Sequence, residues 1–408
     1  MEEILDIQSE VTFDESVSHY EIHAHQPYTL SNFNNSDEIR ISIQHQDLNL
    51  LPCRSSIHVQ GKLSKTDGAA LARTTFADNA ICYLFEDIRY ELNAVEIDKC
   101  KNVGLTTLMK GIPSFNYNQK YILENAGWTG ESIADDSGNF DVFIPLNMIF
   151  GFAEDYRKII VNMKHELILS RSRTNFNAVM QTIENAAPNN TYETFKIQIS
   201  KIEWLMPYVQ VSNQHKIQLL RQIEKNKPIA VSFRSWELYE HPSIPASSRH
   251  VWTVKTSNQL EKPRFVILAF QTKRKDQKNK DASKFDHCNV RDVKLFLNSQ
   301  YYPYGNMNLD ITNNKAALLY DLFAHFQQSY YGKTSEPMIS REKFISDYPL
   351  IVIDCSKQNE TIKSAPVDIR LEFEVSSNFP AETSAYCLIL HDRIVEYNPV
   401  SGDVKKLI

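Results

Sequence analysis

A seven-residue stretch that returns near the middle of the chain constrains the fold more than any other feature. Asp87-Ile88-Arg89-Tyr90-Glu91-Leu92-Asn93 reappears as Asp292-Val293-Lys294-Leu295-Phe296-Leu297-Asn298, offset by 205 residues in a chain of 408. Each copy sets an acidic, an aliphatic and a basic residue before Leu-Asn, the pattern of a strand that ends in a turn at Asn. Further features follow in the same order at similar offsets. A helical segment comes next (118–126 and 314–328), and strands at 141–146 and 165–169 have counterparts at 348–353 and 368–373. Features kept in order at one offset describe two consecutive copies of one domain.

What is duplicated is β-rich. Segments 20–25, 39–43, 56–60, 195–199, 264–268 and 368–374 alternate or run apolar, are rich in β-branched and aromatic residues, and are expected as half-buried or buried strands. Helical periodicity shows only at 118–126, 175–186, 215–224 and 314–328, the last placing Ala317, Leu318, Leu319, Leu322 and Phe323 near one face. Many short strands with sparse helices in the connections point to antiparallel sandwiches or barrels, not to alternating βαβ units.

Several function classes lose their footing here. Only 11 residues are Gly and no two form a G-x-G core, so a dinucleotide loop has no place to form. Gly332-Lys333-Thr334 echoes a phosphate loop, but Gln327 stands where that loop needs Gly. The six cysteines, Cys53, Cys82, Cys100, Cys288, Cys355 and Cys387, show no C-x-x-C or zinc spacing and read as buried thiols of a reducing compartment. Lys and Arg number 44 against 50 Asp and Glu, so any nucleic-acid contact is local. No apolar run approaches the ~20 residues of a bilayer helix, and no basic region precedes an apolar one at the start, so neither a membrane span nor a secretory signal is expected.

No catalytic set assembles. His23 and His25 share one strand face, a geometry that suits metal, but no third ligand stands nearby. Asp286-His287-Cys288 suggests a thiol and base, yet neighbours on a strand point to opposite faces. Asp135-Asp136-Ser137-Gly138 reads as a turn, and Asp354-Cys355-Ser356 lacks a partner. The sequons at Asn34, Asn189 and Asn359 carry no weight without a secretory signal. The expectation is a non-enzyme with no cofactor and no metal.

At the junction of the two halves, the strand Ile202-Glu203-Trp204-Leu205-Met206-Pro207-Tyr208-Val209-Gln210-Val211-Ser212 leads into the polar helix His215-Lys216-Ile217-Gln218-Leu219-Leu220-Arg221, and a new strand opens at Ile229. At 208–221, and again at 285–304 where a strand ending Phe296-Leu297-Asn298 precedes an aromatic loop, the chain resembles the double jelly-roll major capsid proteins. These are found in Polinton/Maverick-type elements, adintovirus-like genomes and nucleocytoplasmic large DNA viruses. Asn93-Ala94 and Asn298-Ser299 depart from the family by standing where many members turn with Gly. The resemblance implies an all-β fold of two tandem eight-stranded jelly rolls with short helices in the loops. The rolls are expected at 1–212 and 227–408, with a linker helix at 213–226. It further implies a homotrimer forming pseudo-hexagonal capsomers of an icosahedral shell, folded in the host cytoplasm or nucleus and residing in the virion capsid. Penton or minor capsid proteins are candidate further partners.

Such assembly needs contact surfaces with aromatic centres. The candidates are Phe115, Tyr117, Tyr301, Tyr302, Tyr304, Tyr330 and Tyr331, which lie outside clear strand patterns; the alternative is that they seal loops of their own domain. A basic run, Lys273, Arg274, Lys275, Lys278 and Lys280, is either a genome-facing patch or a solvated hairpin tip, and the tip is the reading adopted. Two further functional readings stay open: a two-domain β-sandwich that binds carbohydrate or a receptor, and a capsid-derived protein domesticated by a host.

Overall fold

Apolar side chains that alternate along the strands give each strand one face to bury, and the chain buries them by folding sheets onto each other in pairs. The computed structural model describes residues 16–28, 33–44, 49–68, 71–182, 192–256, 262–298, 300–357 and 367–407. The first half begins with β1 (Val17–His25), β2 (Glu38–Ile43), β3 (Asn49–Leu50), β4 (Ser56–Lys65) and β5 (Thr74–Phe76). It continues with α1 (Ala80–Tyr83), β6 (Phe85–Leu92), β7 (Val95–Lys101), α2 (Val103–Ser114) and α3 (Lys120–Asn125). It closes with β8 (Asn139–Pro145), α4 (Gly151–Asp155), β9 (His165–Arg171), β10 (Val179–Gln181) and β11 (Phe195–Val211). The exposed helix α5 (Asn213–Glu224) then crosses to the second half.

That half runs β12 (Ile229–His241), β13 (Arg249–Thr256), β14 (Pro263–Thr272), β15 (Val290–Leu297) and β16 (Gln300–Tyr302). Three helices follow, α6 (Ala317–Ala324), α7 (Phe326–Tyr331) and α8 (Arg341–Asp347), before β17 (Ile351–Asp354), β18 (Asp368–Val375), β19 (Thr383–Tyr397) and β20 (Val404–Lys406).

The two halves have one topology. In the first, the sheets run β1-β11-β4-β8 and β2-β9-β6-β7; in the second, β12-β19-β14-β17 and β13-β18-β15-β16, all antiparallel. Position by position these orders match, so each half is an eight-stranded jelly roll. The short strands β3 and β20 add to β11 and β19, and β5 pairs with β10. The repeated heptads fall on β6 and β15, which occupy the same place in each roll. Their Asn residues explain why the motif repeats. Asn93 and Asn298 turn the chain at φ 46° and 54°, a left-handed conformation that Asn tolerates. Each also clamps the start of the neighbouring strand: the Lys164 amide donates to Asn93 Oδ1 at 2.8 Å, and the Asp368 amide to Asn298 Oδ1 at 2.9 Å. Gly would supply the turn without the acceptor.

Core membership crosses the midpoint of the chain. Val231, Phe233, Val395 and Tyr397 of the second half pack with the first roll's core, while Leu105, Leu108, Met109, Ile112 and Trp128 of the first half pack with the second's. The rolls therefore interlock. Deep in the first roll, His165 is fully buried beneath Tyr90, with Nδ1 2.5 Å from the tyrosine hydroxyl and Nε2 without a partner. Burial pulls its pKa down to about 3. A histidine held neutral in this way adds stability that is present above its unfolded pKa of about 6.5 and is lost as pH falls toward 3. Between pH 6.5 and 4.5 it is expected to cost about 2.5 kcal/mol. Urea unfolding of wild type and His165→Leu across that range checks this: the variant should lack that part of the acid slope, and parallel slopes would contradict it.

The structure departs from the sequence expectations in four places. Segment 175–186 is not a helix: its described part forms a short 3₁₀ turn, Phe176–Ala178, and β10, because Val179–Gln181 pairs with β5. Helix α2 was missed because its residues are all buried, which erases the one-sided period that marks a surface helix. The strand at 20–25 is mostly exposed, since among the described residues β1 ends its sheet and pairs with β11 alone. His287 and Cys288 lie in a turn ahead of β15, with Cys288 at φ 45°, and burial pushes that thiol up to about 12. Asp135 takes the expected turn, accepting from the amides of Ser137 and Asn139. Asn189 and Asn359 lie outside the described residues.

Candidate assembly surfaces

Among the described residues, a buried polar network fills the seam between the rolls. From the first roll come Lys110 on α2 and Glu154 and Asp155 on α4; from the second come Arg234 and Trp236 on β12 and Tyr330 and Tyr331 on α7. Lys110 Nζ donates to the Tyr331 hydroxyl at 2.8 Å and lies 3.1 Å from Glu154 Oε1. The Tyr330 and Tyr331 hydroxyls both donate to Glu154. The ammonium also faces the rings of Trp236 and Tyr330 at 4.8 and 4.6 Å. Burial lowers the pKa of Lys110 against the pull of Glu154, and burial raises both tyrosines well above their ordinary value.

Beside it, Arg234 grips Asp155 with two side-chain bonds of 2.8 and 2.6 Å, donates to the Tyr330 carbonyl and stacks 3.6 Å over the Tyr330 ring. Burial opposes its charge, but the bonds to Asp155 outweigh it and raise the pKa. Further along, buried Asp98 on β7 accepts from the Ser235 hydroxyl at 2.7 Å and the Phe152 amide at 3.0 Å, and lies 3.8 Å from Arg393. Removing one member of such a set strands the others in a dry site, so these charges fix how the rolls dock.

Backbone contact is equally close. A Cβ added at Gly151 would lie 1.5 Å from the Arg234 carbonyl oxygen, so only Gly lets α4 sit on β12. Clefts of about 400 and 590 Å³ open along the seam. In the larger one Lys284 lies 3.4 Å from Asp347, and Asp78 accepts from the Tyr348 hydroxyl and the Gly130 amide, each at 2.8 Å. Among the described residues no group of three or more His, Cys, Asp or Glu side chains is placed to hold a metal ion, and no helix is long and apolar enough to cross a membrane.

The seven candidate aromatics divide. Tyr330 and Tyr331 are corrected: they belong to the internal seam, because their hydroxyls find Glu154 there. Phe115 packs edge-on against Trp128 at 5.0 Å, and Tyr302 is half-buried against the second core. Tyr117, Tyr301 and Tyr304 face solvent, with Tyr304 91% exposed and stacked on Tyr301 at 5.8 Å. The basic run is occupied within the chain. Lys273 pairs with Glu382 at 3.1 Å, Arg274 with Asp286 at 2.7 Å and Lys275 with Glu240 at 2.8 Å. Lys278 lies over Phe176, and Lys280 donates to the Thr272 carbonyl. This loop docks on the first roll, since the Gln181 amide donates to the Lys278 carbonyl at 2.7 Å.

Sequence reading missed Lys110, Glu154 and Arg234. The available signal was a lone lysine inside the apolar run Leu108-Met109-Lys110-Gly111-Ile112. It also missed the outer face of β1, where Tyr20 and Ile22 are 50% and 58% exposed.

Two jelly rolls of identical strand order, fused face to edge by a buried seam, define a double jelly-roll protein. The double jelly roll-like domain family matches residues 74–395, well over half of the chain, and the chain belongs to that family. Solved structures share its fold. The PBCV-1 virus capsid chain superposes with a TM-score of 0.60 at 11% identity, covering 98% of this chain and 99% of that one. The mavirus major capsid protein gives 0.57 at 10% identity over 98% and 92%, and the Faustovirus major capsid protein 0.60 at 11% over 95% and 92%. No curated protein sequence matches the chain.

Proposed function

We propose that this chain is a viral major capsid protein, a structural building block without a catalytic step. Three copies associate into a pseudo-hexagonal capsomer of six rolls, and capsomers tile an icosahedral shell in the virion; folding takes place in the host cytoplasm or nucleus. In this reading 1–212 and 227–408 are the two rolls and 213–226 the linker. The observation that carries it is the end-to-end correspondence with capsid chains, which covers 98% of this chain and 99% and 92% of theirs. The interlocked cores add support, because a shell block must hold its two rolls at a fixed angle.

Size-exclusion chromatography with light scattering tests the reading. A species of three times 47.1 kDa is expected, and a monomer at micromolar concentration would contradict it. The paired basic loop supports a shell that meets nucleic acid weakly and locally. Lys273→Gln, Lys275→Gln and Lys278→Gln together are expected to leave DNA retention and its salt dependence unchanged; a salt slope lowered by about 3 would restore a genome-facing role.

A further inference from the structure

The larger cleft along the seam holds polar groups that the docking of the rolls leaves without partners. Its walls come from both rolls: the 3₁₀ turn Tyr117–Gln119, α3 and residues 128–131 from the first, and residues 281–284 with α8 from the second. Trp128, Met180, Met338 and Ile339 give it an apolar lining. Its volume of about 590 Å³ falls within the ~300–1,000 Å³ of small-molecule sites.

Three lysines and four acidic residues stand among this apolar lining, with both signs coming from each roll. Some of these groups hold each other in place, as Lys284 and Asp347 do at 3.4 Å. Among the described residues Lys120, Lys343 and Glu131 make no ion pair and are exposed. The charges nearly cancel, so a ligand of either sign would meet as many like charges as opposite ones. A purely apolar ligand would strip water from these groups and return no hydrogen bond. Hydroxyl groups suit both kinds, since each one donates and accepts.

The rim supplies the second half of the chemistry. Tyr117, which lines the cleft, is 66% exposed, and Tyr121, four residues on, is 77% exposed with the Lys120 ammonium 5.9 Å over its ring. Exposed rings grouped beside a cleft are interaction surface. A sugar ring matches the whole arrangement: its C–H face is apolar and lies flat on an aromatic ring, while its rim of hydroxyls meets carboxylates and ammoniums. We propose that this cleft binds a neutral oligosaccharide. Tyr117 stacks on a sugar face, Glu131 accepts from hydroxyls, and Lys120 and Lys343 donate to them from opposite rolls. The site lies within one chain, so its failure would leave the trimeric reading untouched.

An array printed with neutral, sialylated and sulfated glycans, and with short peptides, tests this when probed with the labelled full chain. Neutral oligosaccharides are expected to be retained equally at about 0.1 and 1 M NaCl, because no ligand charge is screened. Tyr117→Ala, and separately Glu131→Gln with Lys343→Met, should each lower that retention at least about tenfold. Both variants change exposed side chains and are expected to keep the wild-type circular dichroism and mass. Retention confined to sulfated or sialylated glycans and abolished by salt overturns the proposal in favour of an anion site. Peptides retained in place of neutral glycans, no retention at all, or retention that both variants preserve overturns it as well.

Discussion

Gly151→Ala is expected to be among the most damaging single substitutions in the chain. Its new methyl group would have to occupy the space of the Arg234 carbonyl oxygen, 1.5 Å away. A backbone oxygen inside a sheet cannot rotate aside as a side chain can, so α4 must lift from β12. With it go the Asp155–Arg234 pair and the Phe152–Phe233 edge contact at 5.7 Å. A loss of about 4 kcal/mol in unfolding free energy is expected, at the upper end of overpacking effects. Urea denaturation checks it, and a loss below about 1 kcal/mol would mean that the rolls do not meet as closely as described.

Lys110→Met should come next. Methionine fills a similar volume but leaves Glu154 in a buried site with only two hydroxyl donors, and breaking a buried pair from one side costs about 3–5 kcal/mol. Adding Glu154→Gln should recover much of this, because the stranded charge is then gone. The double-mutant cycle is the measurement. Additive losses in the two singles would show that the pair is not coupled. The tyrosines sharpen the expectation: Tyr331→Phe should weaken Lys110 and Glu154 together, since its hydroxyl accepts from one and donates to the other.

The duplicated fold was legible because its signal is local. A strand of fixed period ends at an Asn that both turns the chain and clamps the next strand, and those demands recur wherever the same corner is built. Features kept in order at offsets near 205 marked the duplication, and the jelly-roll form came from the resemblance at 208–221 and 285–304. The seam was not legible, for reasons of distance and period. Lys110, Glu154, Arg234 and Tyr330 are dispersed over more than half the chain, and no sequence pattern brings them together. Tyr330 and Tyr331 stood out as aromatics beyond any strand, a property shared by residues that face a neighbouring molecule and residues that face the other half of their own. Helix α2 buries every side, so its composition reads as a core strand or loop and its position between the rolls is set by tertiary packing. The outer face of β1 was hidden by a simpler ambiguity: an apolar alternation reads as burial, and only the topology reveals that the strand ends its sheet.

Electron cryo-microscopy of the purified chain tests the central claim most directly, that two interlocked rolls form the repeating unit of a ring. A particle with threefold symmetry is predicted, six rolls in a hexagonal outline. Isolated two-roll particles, or rings built from a number of chains other than three, would contradict it.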